Sequence, residues 1–374
     1  MTLPLEGIKI LDFSNLLPGP FCTMTLADFG AEIIKVERPH TGDFTRRNKR
    51  MFNAVNRNKK SITVDLKDEQ EIEFIKQMIK ECDVLVEGFR PGVMARLGLD
   101  YQEVSKINNQ IIYCSISGFG QTGPLRTVPG HDVNYLALSG ALSISGDPAG
   151  PPAPWGGVQV ADLTSAMYAV TSILAALRNR DLNGQGDFID VSITDTVLAW
   201  MGPRIASYYD QGKPNKENFL TTGAYGAFET KDHEYIALGS LEDHFFENLC
   251  HSIGRTELLN EEKYKTWPLR SQNAKTLNPI IEEELLKKPL AEWLEIFDKN
   301  DVPSCKVNEI GELPQVESFI ERDLFENYGT GEGEYFVKYP VKFENLSVQS
   351  PKEAAKLGEN NSEYSKNLKG VKNT

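Results

Sequence analysis

Between residues 8 and 116, short runs rich in Ile, Val and Leu alternate with helical stretches, and this alternation constrains the fold more than any other feature. Ile8–Phe13, Glu32–Glu37, Ser61–Leu66, Val84–Glu87 and Ile111–Ile116 read as strands. Pro20–Phe29, closed by Gly30, and residues 69–80 read as helices. Strands separated by helices imply an α/β fold with a doubly wound, mostly parallel sheet. Ligands of such sheets bind beyond the carboxyl ends of the strands, here residues 13–20, 37–39, 87–92 and 116–121. The turn Ser14-Asn15-Leu16-Leu17-Pro18-Gly19-Pro20 has one glycine where a dinucleotide fingerprint needs three, and no Walker A sequence occurs, so neither reading holds.

Residues 163–178 read as a long, apolar, alanine-rich helix, and Gly184-Gln185-Gly186 leads into a further strand at 188–193. The 374 residues exceed one typical core, so two domains are expected. We assign 1–200 to a large domain, the polar, Gly/Pro-punctuated 201–225 to a linker and 226–320 to a small inserted α+β domain. Its elements are a strand at 234–239 and helices near 243–252 and 290–299. Residues 321–374 form a return segment completing the large domain, with a lysine-rich tail.

A net charge of −13 argues against a nucleic-acid partner. No apolar run approaches a membrane span, and the N-terminus lacks the basic-then-apolar order of a signal peptide. Five scattered cysteines without CxxC spacing imply neither a disulfide framework nor a zinc site, and a reducing cytoplasm fits. No metal or permanent cofactor is implied.

His131, in Pro129-Gly130-His131-Asp132, sits at a loop-to-helix junction, where a titratable side chain can face a cleft. Asp162 opens the next helix. An imidazole and a carboxylate at element ends suit two-sided proton chemistry, although turns and N-caps employ the same residues.

Several segments resemble the family III CoA-transferases, a group that includes α-methylacyl-CoA racemase. They are Ile10-Leu11-Asp12-Phe13 with Pro18-Gly19-Pro20, Leu26-Ala27-Asp28-Phe29-Gly30-Ala31, Val36-Glu37-Arg38-Pro39, Asn56-Arg57-Asn58-Lys59-Lys60-Ser61, Glu87-Gly88-Phe89-Arg90-Pro91-Gly92 and Ser117-Gly118-Phe119-Gly120-Gln121. The resemblance covers nearly the whole chain. It implies an acyl-CoA thioester as substrate, with CoA contacts at Arg38, Arg90 and Arg96 and at Lys59 or Lys60. It also implies an interlocked homodimer.

Two chemistries occur in this group. In the transferases an aspartate, matched by Asp162, attacks the acyl-CoA to give a mixed anhydride and then an enzyme–CoA thioester. In the racemases a histidine and an aspartate, matched by His131 and Asp162, remove and return the α-proton, with Asp132 and Glu242 matching supporting residues that orient and polarise the histidine. Histidine after Gly130, Leu17 where formyl-CoA transferases carry glutamine, and Gly239-Ser240-Leu241-Glu242 in place of a glycine-rich lid favour the racemase branch. Thr164-Ser165-Ala166 after Asp162 looks more like a transferase. The balance falls on racemisation of a 2-methylacyl-CoA, with CoA transfer as the alternative and a non-catalytic acyl-CoA-binding protein as a third reading. Asn361, where the family usually carries histidine, reads as a surface change.

Overall fold

The computed structural model describes residues 3–154 and 156–364. The chain divides into two compact units. The first, residues 1–141, 155–202 and 316 onward, is built on a six-stranded sheet: β1 (Lys9–Asp12), β2 (Glu32–Glu37), β3 (Lys59–Thr63), β4 (Val84–Glu87), β5 (Ile112–Ser117) and β6 (Asp187–Ser192). The strand order is β3-β2-β1-β4-β5-β6 and every pairing is parallel. Ile10, Leu11, Val84, Leu85 and Ile112 are wholly buried, so consecutive residues on both faces of the sheet must be apolar, and the strands read as unbroken hydrophobic runs.

The connecting helices are α1 (Pro18–Asp28), α2 (Lys49–Asn56), α3 (Glu69–Ile79), α4 (Val93–Arg96), α5 (Tyr101–Ile107), α6 (Asp132–Leu138) and α7 (Val160–Asn183). Two of the starts have a clear local cause. Pro18 and Pro20 preset φ in the first turn of α1, and the Asp68 carboxylate accepts the Gln70 and Glu71 N–H groups at the head of α3. On one face of the sheet Leu11, Ile34, Ile62 and Leu85 share a core with Ile75 and Ile79 of α3 and Val104 of α5. Helix α7 packs against α1. It corrects one expectation: its 24 residues are long and apolar enough, by length and composition, to cross a membrane, but half of that window is buried inside the protein.

Strand β3 begins at Lys59, two residues earlier than expected, because both lysines find partners that local sequence does not reveal. The edge beyond β3 is closed from far along the chain. The Asn361 side chain accepts the Thr63 N–H at 2.8 Å and donates to Thr63 Oγ1 at 2.8 Å. Asn361 therefore seals an edge strand and is no mere surface change.

The second unit, Leu142–Pro154 and Pro203–Gln315, carries an antiparallel sheet of β7 (Tyr225–Glu229), β8 (Tyr235–Gly239) and β9 (Ser304–Lys306). Ile236, Leu249, Ile281, Trp293 and Phe297 form its core. The expected linker is corrected here. Helix α8 (Ile193–Asp210) runs through Pro203, and α9 (Lys216–Leu220) follows. Gly202 and Pro203 read as breaks, yet the helix continues past them. Residues 142–154, expected in the large domain, also belong to this second unit.

Candidate functional site

Strand order reverses between β1 and β4, and the crevice of a doubly wound sheet opens at that reversal, beyond the carboxyl ends of the two strands. The loops bordering it are 13–17 and 88–92. Their closeness is visible at Gly88, where a side chain would lie 3.7 Å from Ser14 Cβ.

The five expected CoA-contact positions separate into two groups. Arg38, after β2, and Arg90 and Arg96, after β4, are exposed, and among the described residues no carboxylate pairs with them. Such unspent guanidinium groups suit phosphate. Lys59 does not belong with them. Its side chain is buried and Nζ donates to Pro20 O (2.8 Å), Asn56 Oδ1 (2.9 Å) and Asp12 Oδ2 (3.2 Å). Lys60 donates to Glu32 Oε1 at 2.8 Å, to Glu363 Oε1 at 2.5 Å and to Tyr364 Oη at 3.3 Å. Both expectations are corrected: an ammonium with three partners inside the chain has little left for a ligand.

Asp162 lies in the first turn of α7. Asp132, at the start of α6, joins the two helices: its Oδ1 accepts the N–H of Ala161 at 2.8 Å and of Asp162 at 3.2 Å. Asp132 thus anchors Asp162, not the histidine beside it as expected. The Asp162 carboxyl is mostly buried and, among the described residues, takes no hydrogen bond and no cation. Burial first, and the Asp132 charge second, push it from 3.8 up to about 7. His131 precedes α6 with an exposed side chain, and its N–H donates to Asn134 Oδ1 at 3.0 Å. Tyr135 donates to Gly130 O at 2.7 Å and stacks edge-on against Phe119. Its ring fills the space where side chains at Gly118 and Gly130 would fall, at 2.5 and 2.7 Å, which fixes glycine at both positions. Burial, then the Asp162 charge, push the Tyr135 hydroxyl up to about 12, with Arg90 opposing. Glu242 belongs to the second unit, where it precedes α10 (Asp243–Ile253) with its side chain exposed.

Sequence reasoning missed Glu87. It ends the buried β4, accepts a hydrogen bond from the Ser115 hydroxyl and takes the Phe89 N–H at 2.7 Å. Burial pushes it up to about 7, and the Asp190 charge adds to the rise. A cleft of about 260 Å³ opens beside it, lined also by Arg90, Met94, Tyr101, Gln121 and Phe188. The available signal was a carboxylate closing an otherwise apolar strand, Val84-Leu85-Val86-Glu87.

The fold and these residues together define a doubly wound α/β protein with, among the described residues, exposed, unpaired arginines after β2 and β4 and an unpaired carboxyl at a helix start. The sequence profile of CoA-transferase family III matches residues 5–361, and the chain belongs to that family. Human succinyl-CoA:glutarate CoA-transferase is 39% identical over 327 residues, covering 84% of this chain and 74% of that protein. Human alpha-methylacyl-CoA racemase is 34% identical over 335 residues, covering 86% and 82%. A crystal structure of a CAIB/BAIF family protein from Brucella suis superposes with a TM-score of 0.87 at 29% identity, covering 98% of this chain and all of that one. The chain is therefore an enzyme of the CoA-transferase and racemase group. The lean toward the racemase branch is not carried by these similarities, since identity to the transferase is the higher.

Proposed function

We propose that this protein transfers coenzyme A between a dicarboxylic acyl-CoA and a second carboxylic acid, with Asp162 as the nucleophile. One observation carries this reading: a mostly buried carboxyl whose oxygens are free of hydrogen bonds and cations within the described residues. A desolvated, unpartnered carboxylate attacks more readily than a solvated or paired one. The dicarboxylic class is suggested by the relative that acts on succinyl-CoA and glutarate.

Asp162 attacks the thioester carbonyl, its new C–O bond forming as the C–S bond breaks, which gives an acyl-aspartyl anhydride and the CoA thiolate. The thiolate attacks the aspartyl carbonyl, releasing the donor acid and leaving Asp162 as a CoA thioester. The acceptor carboxylate then attacks that thioester. The thiolate returns to the acceptor's acyl carbon, and Asp162 leaves as a carboxylate. In this reading Arg38, Arg90 and Arg96 hold the phosphates of CoA. Asp132 fixes the nucleophile. A homodimer, with Glu242 of one copy supporting the site of the other, is part of the same proposal.

A second reading, α-proton transfer between His131 and Asp162, is favoured by the rise of Asp162 to about 7, because a carboxyl there can carry a proton near neutrality. Incubation with succinyl-CoA and glutarate separates the two. Formation of glutaryl-CoA, lost in Asp162→Asn, together with a CoA adduct on Asp162 by mass spectrometry, is the expected result. No exchange, with deuterium entering the α-carbon of a 2-methylacyl-CoA in D₂O, would replace transfer by racemisation.

A further inference from the structure

The turn after β1 is strained and is held from below by buried charge. Leu16 has φ +66°, in the left-handed region that non-glycine residues rarely adopt. Its side chain is 41% exposed, so core packing does not repay the strain. The ties lie underneath. Lys35, in β2 and 1% exposed, donates from Nζ to Ser14 O at 2.8 Å and pairs with Asp43 Oδ2 at 2.9 Å. Asp43 turns its other oxygen to the Leu16 N–H (3.4 Å) and the Thr45 N–H (2.8 Å). Asp12 accepts the Ser14 N–H at 2.9 Å, and Lys59 fastens the far end of the turn at Pro20 O. Gly19 presses so closely that a side chain there would overlap Ser14.

A buried ionic cluster of this kind is poor evidence for stability, because apolar residues of similar volume commonly do as well or better. What this cluster does that apolar residues could not is grip backbone carbonyls and N–H groups of one particular turn, at the crevice between β1 and β4. We propose that Lys35 and Lys59 are positioning residues for acyl-CoA binding, holding the backbone of residues 14–17 in the conformation against which the CoA thioester docks. This rests on the CoA-transfer reading above. It reassigns Lys59 from ligand contact to support.

The test uses the full-length protein with free coenzyme A by titration calorimetry, and succinyl-CoA with glutarate in steady state. Lys35→Met removes the tie at Ser14 and Lys59→Met the tie at Pro20. Each is expected to weaken CoA binding about tenfold and to raise KM for succinyl-CoA about tenfold, with kcat within about threefold of wild type. A purely structural role would lower the melting temperature and leave Kd and the KM-to-kcat split of the folded protein unchanged. Leu16→Val disfavours the left-handed backbone while leaving the charged cluster intact, and should bind CoA several-fold more weakly than Leu16→Gly, which fits that backbone. If the lysine variants do not fold, this Leu16 pair decides. Equal CoA affinity of Leu16→Val and Leu16→Gly, or unchanged Kd in a folded lysine variant, overturns this proposal alone. Wild-type protein that does not bind coenzyme A overturns the CoA-transfer reading and this proposal with it.

Discussion

Asp132→Asn separates the two things Asp132 does for Asp162. The substituted amide oxygen can still accept the Ala161 and Asp162 N–H groups, held now at 2.8 and 3.2 Å, so the start of α7 stays capped. Only the negative charge is lost. Asp162 rises from 3.8 to about 7, a span of about 3 pH units, or about 4 kcal/mol between its protonated and ionised forms. Burial is the larger cause and Asp132 the smaller. Removing the charge should therefore lower the apparent value by about 1 pH unit, or about 1.4 kcal/mol.

The sign follows from which form reacts. The ionised carboxylate attacks, so activity rises with pH through the Asp162 value. At pH 6 roughly a tenth of wild-type Asp162 is ionised, against about half in the variant, a gain of about fivefold in kcat/KM. By pH 8 both are almost fully ionised and the gain disappears. The assay is CoA exchange between succinyl-CoA and glutarate from pH 5 to 9. An acid limb that stays in place, or moves to higher pH, refutes the electrostatic argument.

Two further predictions concern stability. The raised Asp162 value contributes stability that is complete below about pH 3.8 and lost as pH rises through about 7. Asp162→Asn should thus be more stable than wild type at pH 8 by about 2–4 kcal/mol, with the difference closing toward pH 4; urea denaturation at both pH values measures it, and equal stability at pH 8 counts against the burial described. Arg57 and Asp28 form a buried two-bond pair, Nη2–Oδ2 2.6 Å and Nε–Oδ1 3.2 Å. Arg57→Met strands a buried carboxylate and should cost about 3–5 kcal/mol near neutral pH, a loss that Asp28→Asn in the same chain should partly restore; a loss below about 1 kcal/mol would show the pair to be better solvated than its burial implies.

The order of strands in the first third was legible because each is buried on both faces and must be written in apolar residues. The start of β3 was not. Lys59 and Lys60 are poor strand residues by composition, and they enter the sheet only because Asp12 and Pro20, or Glu32 and Glu363, take up their ammonium groups from 28 to 303 residues away. The same distance effect governs the site. The resemblance implied that Asp132 serves His131, but the geometry sends its carboxylate 29 and 30 residues onward, to the head of α7. Helix α8 was misread through Pro203, since proline marks a break only where the chain does not continue its helical path around it. The exposure of Arg38, Arg90 and Arg96 was legible because each follows a strand end, and among the described residues no carboxylate pairs with them.

The buried acids of the first unit divide by partner. Asp12 has Lys59, Asp28 has Arg57, Glu37 has Arg46 and Asp43 has Lys35. Glu87 and Asp162 have no cation among the described residues, and both are pushed up to about 7. One ends β4 and lines the cleft beside it, and the other begins the helix that Asp132 holds. A chain that pairs Asp12, Asp28, Glu37 and Asp43 with cations, and gives Glu87 hydrogen bonds from Ser115 and Phe89, has no structural reason to leave Asp162 bare, because asparagine would fill the same space without the charge penalty. A protein that only bound acyl-CoA would gain by that exchange. The unpaired carboxyl makes physical sense where the charge is consumed in each turnover, either by bonding to an acyl carbon or by taking a proton. On the proposed reading the cost is borne by the resting enzyme and relieved when substrate arrives, with Asp162 acting at the reacting centre in either chemistry.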